Sequence, residues 1–426
     1  MRESTGKLGR RVLVVVENLP VPFDRRVWNE SLALRDAGYD VSIICPKGMG
    51  ATKGFEILEG IRIYRHPLPL EANGGVGYLL EYASALFWET LLTWRVFLTT
   101  GFDAIHACNP PDLIFLIGGF FKYLFGKKFL FDHHDINPEL YEAKFGRKDF
   151  FYHCLRLVER LTFAVADVSL ATNNSYRKIA IERGKMDPDR VTVVRSGPKL
   201  DRMRIQPPQP ALKRGRKHLV GYVGVMGAQE GIQYLLAAAR HIIYDLNRTD
   251  IQFGLVGGGP ELRQLKALAG ELGIADYVTF TGRVPDDEML SMLNTAEVCV
   301  NPDEYNAMND KSTMNKVLEY MALGKPIVQF DLTEGRFSAG EASLYAARND
   351  AFDFARNILL LIDNPELRQR MGEIGRRRVV DELSWDHEVP KLLAAYEALF
   401  APRAAAIALQ PAIQQHVEPS RPSQPH

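Results

Sequence analysis

The chain has 426 residues, which is more than one ordinary hydrophobic core holds and predicts two domains of about 150 to 200 residues each, with tails. Apolar residues make up 46% and charged residues 24% of the chain, as in folded soluble proteins. The 52 basic and 52 acidic side chains leave no net charge to attract a polyanion, so we expect no nucleic-acid partner.

The cysteines and the N-terminus predict a cytoplasmic protein. Cys45, Cys108, Cys154 and Cys299 lack CxxC spacing and lie mostly in apolar runs, as expected for buried thiols in a reducing compartment without a zinc site. The start MRESTGKLGRR carries charge but no apolar run, so we expect no signal peptide. The most lipophilic uncharged run, residues 113–121, is shorter than the ~20 residues that cross a bilayer.

Strand and helix patterns alternate through the first half of the chain. The β-branched run RVLVVV precedes a helical pattern that ends at Gly38, and VSIIC follows it. The alternation continues with DAIHAC, the helix PDLIFLIGGFFKYL, the strand KFLFD, a helix near 150–165, the strand DVSLA, a helix near 175–183 and the strand VTVV. Apolar strands alternating with helices predict a parallel sheet that is covered on both faces.

The alternation breaks at residues 198–218, where four prolines and a basic cluster indicate a linker, and then resumes from LVGYVGV to the closing helices at 351–400. We therefore predict an α/β protein of two tandem doubly wound Rossmann-like domains facing a cleft, where ligands of such sheets bind. The predicted segments are a tail at 1–10, domains at 11–197 and 219–384, a helix at 385–400 that returns to the first domain, and a disordered tail at 401–426.

A short helix in NDKSTMNKVLEYMALGKPIVQFDLTEG carries the most informative polar residues. Ser312 or Thr313 is its predicted cap, and Gly324 ends it. The buried stripe is predicted to consist of Met314, Val317, Leu318 and Met321, with Asn315, Lys316 and Glu319 on the other side. Spacing alone favours a solvated face with a pair between Lys316 and Glu319.

The surrounding stretch EVCVNPDEYNAMNDKSTMNKVLEYMALGKPIVQFD resembles the donor-binding segment of family 4 of the retaining glycosyltransferases, which have the GT-B fold. In that family a helix ending in an LEAMACGKPVV-like run carries a glutamate that accepts hydrogen bonds from the ribose of a nucleotide sugar. Glu319 stands at that position, and a carboxylate has two acceptor oxygens for two vicinal hydroxyls. The resemblance runs from RVLVVVENLPVPFDRRVW to SWDHEVPKLLAAYEAL and implies that domain 11–197 binds the acceptor and domain 219–384 the donor.

The resemblance also implies roles for three loops. YVTFTGRVPDDEM is similar to the segment bordering the base, which places Arg283 and the main chain of Val284 there. FDHHDINPELY is similar to the loop that approaches the transferred sugar, with His134 donating to a sugar hydroxyl and Asp135 orienting its ring. In NLPVPFDRRVW the basic pair at positions 25 and 26 is expected to meet phosphate or acceptor, although a solvated pair fits equally well.

Two departures from the family concern the charge around the donor. The first of the family's two acidic residues falls on Lys311 here, and Asp310 beside it is the expected substitute. In LVGYVGVMGAQEGI, Val225 and Glu230 stand where the family has an arginine and a lysine that touch the diphosphate. The expected replacements are Lys316 first, then Lys311, the N-terminus of the helix, and the main chain at Met226 and Gly227.

We expect no cofactor and no metal site, because Asp187 and Asp189 form a DxD only by letter, in a loop far from the donor segment. Transfer of a hexose with retention of configuration is the predicted reaction, in the synthesis of exopolysaccharide, O-antigen or lipopolysaccharide. Two alternatives stay open. One is a nucleotide-sugar epimerase of the same fold, and the other is a non-catalytic protein that binds a nucleotide sugar or a true transferase.

The acceptor is expected to be a glycan or a polyprenyl-linked sugar. Residues 77–98 and 120–131 are rich in aromatic side chains with lysine at the edges, as in surfaces that rest on a membrane. Core packing of long helices explains the same pattern. The resemblance to enzymes of bacterial surface polysaccharide synthesis favours peripheral contact with the inner face of the plasma membrane.

Overall fold

The structure, a computed structural model, describes residues 9–67, 75–110 and 112–401, with the backbone alone for 75–82. The tails predicted at 1–10 and 401–426 therefore lie outside the described residues, apart from residues 9, 10 and 401. Within the described part of the chain, no helix combines the length and the hydrophobicity that spanning a bilayer requires.

The N-terminal half forms an eight-stranded sheet in the order β3-β4-β2-β1-β5-β6-β7-β8. Its strands are β1 (Arg11–Val16), β2 (Asp40–Pro46), β3 (Phe55–Leu58), β4 (Ile61–His66), β5 (Ala104–Cys108), β6 (Lys128–His133), β7 (Val168–Ala171) and β8 (Val191–Val193). Its helices are α1 (Arg25–Asp36), α2 (Gly75–Thr99), α3 (Phe115–Phe125), α4 (Asn137–Phe145), α5 (Phe150–Val165) and α6 (Asn174–Glu182). All neighbouring strands are parallel except β3 and β4, a hairpin at the sheet edge.

The second sheet has six parallel strands in the order β11-β10-β9-β12-β13-β14. Its strands are β9 (His218–Val223), β10 (Ile251–Val256), β11 (Val278–Gly282), β12 (Val298–Asn301), β13 (Ile327–Phe330) and β14 (Ser343–Ala346). The helices are α7 (Ile232–Arg240), α8 (Leu262–Glu271), α9 (Asp286–Thr295), α10 (Asn315–Ala322), α11 (Thr333–Ala339), α12 (Ala351–Asp363), α13 (Pro365–Arg378) and α14 (Trp385–Phe400).

These two sheets confirm the predicted fold class, an α/β protein with two Rossmann-like domains. After Arg11, β1 consists of four valines and one leucine, and all five are buried because helices cover both faces of the sheet. The predicted thiols at Cys45, Cys108 and Cys299 are buried, whereas Cys154 is partly exposed. Each domain therefore has its own core between a sheet and the helices that flank it.

The last helix, α14, packs against the first sheet and not the second. Leu392, Tyr396 and Leu399 are buried in one cluster with Val12 and Leu170. The Tyr396 hydroxyl lies 2.8 Å from Nδ1 of His106 on β5. These contacts support the proposed return of residues 385–400 to the N-terminal domain. The linker at 198–218 stays a proposal.

The two domains meet at the carboxyl ends of their strands. Nζ of Lys311 donates to Glu139 across the cleft at 3.0 Å, and the Tyr176 hydroxyl lies 3.0 Å from that of Ser312. Ser175 donates to Glu334 on α11 at 2.6 Å. The segments after β6, β7, β12 and β13 therefore meet at one cleft, as doubly wound sheets predict.

Candidate active site

A cavity of about 290 Å³ lies in the cleft between the two domains. Its walls come from the loop after β1 and helix α1, from the segment after β8, and from α9, α10 and the start of α14. The lining residues are Pro22, Arg25, Arg26, Trp28, Asn29, Ser196, Gly197, Pro198, Lys199, Arg202, Asp286, Asn315, Glu319 and Trp385. Charged groups from both domains thus converge on one concave surface.

A second cavity, of about 400 Å³, lies on the C-terminal domain alone and contains Gly227, Glu261 and Leu265. It is larger, but Glu261 is the one ionisable side chain among its lining residues. We place the candidate site in the cleft between the domains, because ionisable side chains from both domains converge there.

Glu319 faces the cavity between the domains. Val317, Leu318 and Met321 bury the opposite side of α10, so its packing aims the Glu319 carboxylate at the cleft. Nη1 of Arg202, from the linker, donates to Glu319 Oε1 at 2.8 Å. Arg202 also donates to Asp286 at 2.7 Å, and so does Arg25. The carboxylate of Glu319 therefore lies at the cleft and is held there by Arg202. Arg202 has no motif or spacing in the sequence that relates it to Glu319.

Lys316 does not line the cavity. Its side chain is 10% exposed, and Nζ lies 2.5 Å from Glu230 Oε2 and 2.9 Å from Asp303 Oδ1. Burial alone would lower the pKa of Lys316, but Asp303 and Glu230 outweigh it and raise that pKa well above its usual value. The expectation of an ammonium free to meet a diphosphate is therefore corrected, because the charge of Lys316 is already compensated within the protein.

The predicted cap of α10 is also corrected. The helix begins at Asn315 after Met314, and no side chain caps its first turn. The Ser312 hydroxyl donates to the Met308 carbonyl at 2.9 Å, and the Thr313 hydroxyl accepts from Asn173 at 3.2 Å. The contact between Thr313 and Asn173 joins the two domains and uses the group that would otherwise cap the helix.

Lys311 was expected at the diphosphate and Asp310 at the donor sugar, but both side chains have partners within the protein. Lys311 pairs with Glu139 of the N-terminal domain, as described above. The Asp310 carboxylate accepts from the backbone N–H and the hydroxyl of Thr333 at 2.9 and 3.1 Å. It therefore caps the start of α11 and does not replace the family's first acidic residue.

His134 follows β6, and its ring Nε2 lies 2.5 Å from Asp132 Oδ2. No hydrogen bond to its Nδ1 is formed by the residues that the structure describes. The predicted orienting residue is corrected, because Asp132 holds the ring, whereas Asp135 binds Asn109 through its main chain at 2.7 and 3.2 Å. Burial raises the pKa of Asp135. A carboxylate that contacts a ring nitrogen, as Asp132 does, fixes the orientation of a histidine ring.

Arg26 is the counterion of Asp132. It donates to both carboxylate oxygens, at 3.1 and 2.8 Å, and lies 3.0 Å from Glu30. Burial raises the pKa of Asp132, but Arg26 and His134 outweigh it and hold that pKa well below its usual range. Arg26 thus supports His134 from inside the protein, which corrects its expected role as a phosphate ligand, although its edge reaches the cavity.

Two buried groups of atoms could hold a metal ion by type: His106 with Cys108 and Asp132, and Glu30 with Asp132 and His134. Asp132 is common to both groups and its two oxygens already accept from Arg26. Among the described residues, the guanidinium of Arg26 therefore provides the positive charge that balances Asp132 and Glu30.

The remaining predicted residues lie around the cleft. Arg283 is exposed and its guanidinium covers the ring of Phe23 at 4.1 Å, which places it at the mouth between the domains. Val284 is half-buried against the core of the C-terminal domain. The N–H and carbonyl of Met226 are bonded to Gly258 and Glu261, which corrects its expected role toward a diphosphate, and Gly227 lines the other cavity.

Two family profiles match this chain. Residues 24–197 match "Glycosyl transferase 4-like domain", and residues 217–364 match "Glycosyl transferases group 1". The chain belongs to the family 4 glycosyltransferases. The members share the GT-B fold described above, and the matched ranges fall on the two sides of the linker.

This family 4 glycosyltransferase is similar to proteins of varied specificity. The alpha-maltose-1-phosphate synthase of Mycolicibacterium smegmatis is 25% identical over 67% of this chain and 77% of its own length. The alpha-D-kanosaminyltransferase of Streptomyces kanamyceticus is 30% identical, but the match spans 36% of this chain and 39% of that relative. These relatives differ in their named activities, so similarity to them does not identify a substrate of this chain.

Solved structures agree on the fold. The sucrose-phosphate synthase of Thermosynechococcus elongatus superposes with a TM-score of 0.76, at 20% identity, over 92% of this chain and 99% of that one. HepE from Anabaena, in complex with UDP-glucose, superposes with a TM-score of 0.69, at 13% identity, over 91% of this chain and 99% of its own. The GT-B architecture of this family 4 glycosyltransferase is thereby shown.

Proposed function

We propose that this protein transfers a hexose from a nucleoside-diphosphate sugar to a hydroxyl of a glycan or lipid-linked acceptor, with retention of configuration. The observation that carries the proposal is the orientation of Glu319, which faces the cavity between the domains although its helix is otherwise packed. A partly buried carboxylate with two oxygens suits the two ribose hydroxyls, at about 1.5 to 3 kcal/mol for each charge-assisted bond.

The donor lies, in this proposal, along the C-terminal side of the cleft. Glu319 exchanges Arg202 for the ribose, and the base rests near Arg283 and the main chain of Val284. The first turn of α10, which begins at Asn315 and has no side-chain cap, presents the positive end of the helix dipole to the diphosphate. HepE was solved with UDP-glucose, so UDP-glucose is the first donor to test.

The proposed chemistry takes place on the front face of the sugar. The bond from the anomeric carbon to the diphosphate oxygen breaks, and the acceptor oxygen bonds to the same carbon from the same side. The leaving diphosphate receives the acceptor proton. His134 forms a hydrogen bond through Nδ1 to a sugar hydroxyl, and the contact of its Nε2 with Asp132 keeps the ring in place. The proposal includes no metal step: Arg25, Lys199 and Arg202 line the cavity, with Arg25 and Arg202 also paired to Asp286.

Donor hydrolysis tests the proposal most simply. The purified protein is incubated with UDP-glucose, GDP-mannose and ADP-glucose, and release of nucleoside diphosphate is followed with and without acceptor sugars. We expect slow hydrolysis of one donor, abolished by Glu319→Ala and preserved by Asp287→Asn, which removes an exposed carboxylate from the neighbouring helix. Hydrolysis that survives Glu319→Ala would contradict the proposed site.

A non-catalytic nucleotide-sugar-binding protein is the second candidate. The pairing of Lys316 with two carboxylates favours it, because a developing negative charge on the diphosphate then has less compensation. Product analysis separates the candidates. Transfer requires a glycosylated acceptor, an epimerase gives an isomerised sugar without acceptor, and a binding protein gives neither.

We further propose that the acceptor is lipid-linked and that the N-terminal domain rests on the inner face of the plasma membrane. Helix α3 exposes Leu116, Phe120, Tyr123 and Leu124, and the first turn of α5 exposes Phe150 and Phe151, with Tyr123 71% and Phe150 74% exposed. Lys144, Arg147 and Lys148, in the segment that precedes Phe150 in the chain, are exposed as well. Aromatic and basic side chains together bind an anionic interface.

Flotation with anionic liposomes tests this placement. We expect the protein to float, and the double substitution Phe150→Ser with Phe151→Ser to reduce the floating fraction at least fivefold. Phe352→Ser, which removes an exposed ring from the other domain, is the matched control and leaves flotation unchanged. Protein that stays wholly in solution would contradict membrane contact and would leave the site in the cleft to be tested by hydrolysis.

A further inference from the structure

Glu230, Lys316 and Asp303 form a compact charged cluster beside the proposed donor site. Glu230 ends the turn after β9, Asp303 follows β12, and Lys316 lies in the first turn of α10. The strands β9 and β12 are neighbours, so their carboxyl ends bring the three groups together. Lys316 Nζ contacts Glu230 Oε2 at 2.5 Å and Asp303 Oδ1 at 2.9 Å.

The cluster holds one cation and two carboxylates. The Tyr222 ring covers Lys316 at 5.1 Å, so its ammonium is enclosed. Asp303 Oδ2 is buried without a hydrogen-bond partner. Glu230 is the most exposed member, with 17% of its side chain accessible against 10% for Lys316 and 1% for Asp303. An anion approaching from solvent therefore meets the carboxylate of Glu230 as well as the ammonium.

A site that binds a diphosphate is expected to carry net positive charge, whereas this cluster has one ammonium and two carboxyl groups. Removal of a carboxylate that contacts the ammonium leaves Lys316 with one acidic partner and raises the local charge by up to one unit. The full unit applies when Asp303, whose pKa burial raises to about 7, is ionised. At separations of a few ångströms and partial burial, one unit charge changes the affinity for a dianion by about tenfold or more.

We infer that Glu230 sets the affinity of the donor site for phosphate by neutralising Lys316, and that loss of its charge strengthens the binding of a nucleoside diphosphate. The inference rests on the proposed function and adds to it a residue that tunes donor binding and product release. A weaker hold on the diphosphate speeds its departure after transfer, whereas a stronger hold slows turnover when release limits the rate.

Calorimetric titration with UDP, GDP and ADP, and with uridine, guanosine and adenosine, tests the inference. For the diphosphate that binds, we expect Glu230→Gln to tighten binding about tenfold and to leave the matching nucleoside unchanged. Glu230→Ala, a second variant without an amide, is expected to act in the same direction. Glu304→Gln is the control, because Glu304 lies in the same loop region as Asp303 and forms no ion pair with Lys316 among the described residues.

Each outcome bears on one claim. Equal or weaker binding of the diphosphate by both Glu230 variants, with thermal melting unchanged, would overturn the inference alone. Equal tightening of diphosphate binding by Glu304→Gln would also overturn it. Loss of any nearby negative charge, and not of the contact with Lys316, would then explain the tighter binding. Failure of every nucleoside diphosphate to bind to wild type and variants would overturn the proposed function and this inference with it.

Discussion

Replacement of Glu319 by alanine removes the carboxylate that we assign to the ribose. Two charge-assisted hydrogen bonds contribute about 3 to 6 kcal/mol together. In the free protein the same carboxylate is bound to Arg202 at 2.8 Å, and both side chains are about one-fifth exposed, so displacement of this pair offsets about 1 kcal/mol. The net loss is about 2 to 5 kcal/mol, which weakens the binding of a nucleoside diphosphate from roughly thirtyfold to several thousandfold.

Comparison of ribose and dideoxyribose nucleotides makes this prediction specific. In calorimetry, wild type should lose affinity when the 2′- and 3′-hydroxyls are removed, whereas Glu319→Ala should bind the two nucleotides equally. The double-mutant cycle compares the effect of the substitution with the effect of removing the hydroxyls, and so separates this contact from any change in the fold. An equal penalty for dideoxyribose in wild type and Glu319→Ala would refute the assignment of this carboxylate to the ribose.

Three further predictions concern the N-terminal side of the cleft. His134→Ala should lower the rate of transfer about 100-fold and change the dissociation constant of the nucleoside diphosphate less than threefold, because the donor binds the opposite domain. Asp132→Asn should lower the free energy of unfolding by about 3 kcal/mol, since it removes the buried counterion of Arg26. Burial lowers the pKa of His133 to about 3, so wild type should lose about 2 kcal/mol of stability relative to His133→Phe between pH 7 and pH 5.

The sign of the pH effect follows from the neutral state of the buried ring. The unfolded chain binds a proton below pH 6.5, the folded chain does not until about pH 3, and stability is therefore lost as the pH falls between these values. Urea unfolding at the two pH values measures it, and equal losses in wild type and His133→Phe would contradict it. A His134→Ala enzyme with normal transfer, or an Asp132→Asn protein with unchanged unfolding, would contradict the roles given to those residues.

Hydrophobic patterning predicted most of the fold, because buried parallel strands read as apolar runs. RVLVVV and KFLFD became β1 and β6, and the helix predicted near 150–165 is α5, Phe150–Val165. The hairpin of β3 and β4 was missed. Residues of β3 are alternately exposed and half-buried at the sheet edge, so this four-residue strand carries a weak signal.

The site was predicted in part. The direction of Glu319 follows from helical spacing, and the spacing of one helix is a local property. The partners of Lys316 could not be read in the same way, because Glu230 and Asp303 arrive from other strands. Asp132 was within the quoted FDHHD segment, but two-residue alternation along β6 and the position of Arg26 decide that it and not Asp135 meets His134.

A crystal soaked with UDP and with GDP tests the central claim most directly. The account predicts a nucleotide in the cleft between the domains, with both ribose hydroxyls within 3.2 Å of the Glu319 carboxylate, about the limit of a good hydrogen bond, and Arg202 displaced from it. A nucleotide bound elsewhere, or a ribose directed away from Glu319 with the contact to Arg202 intact, would contradict it.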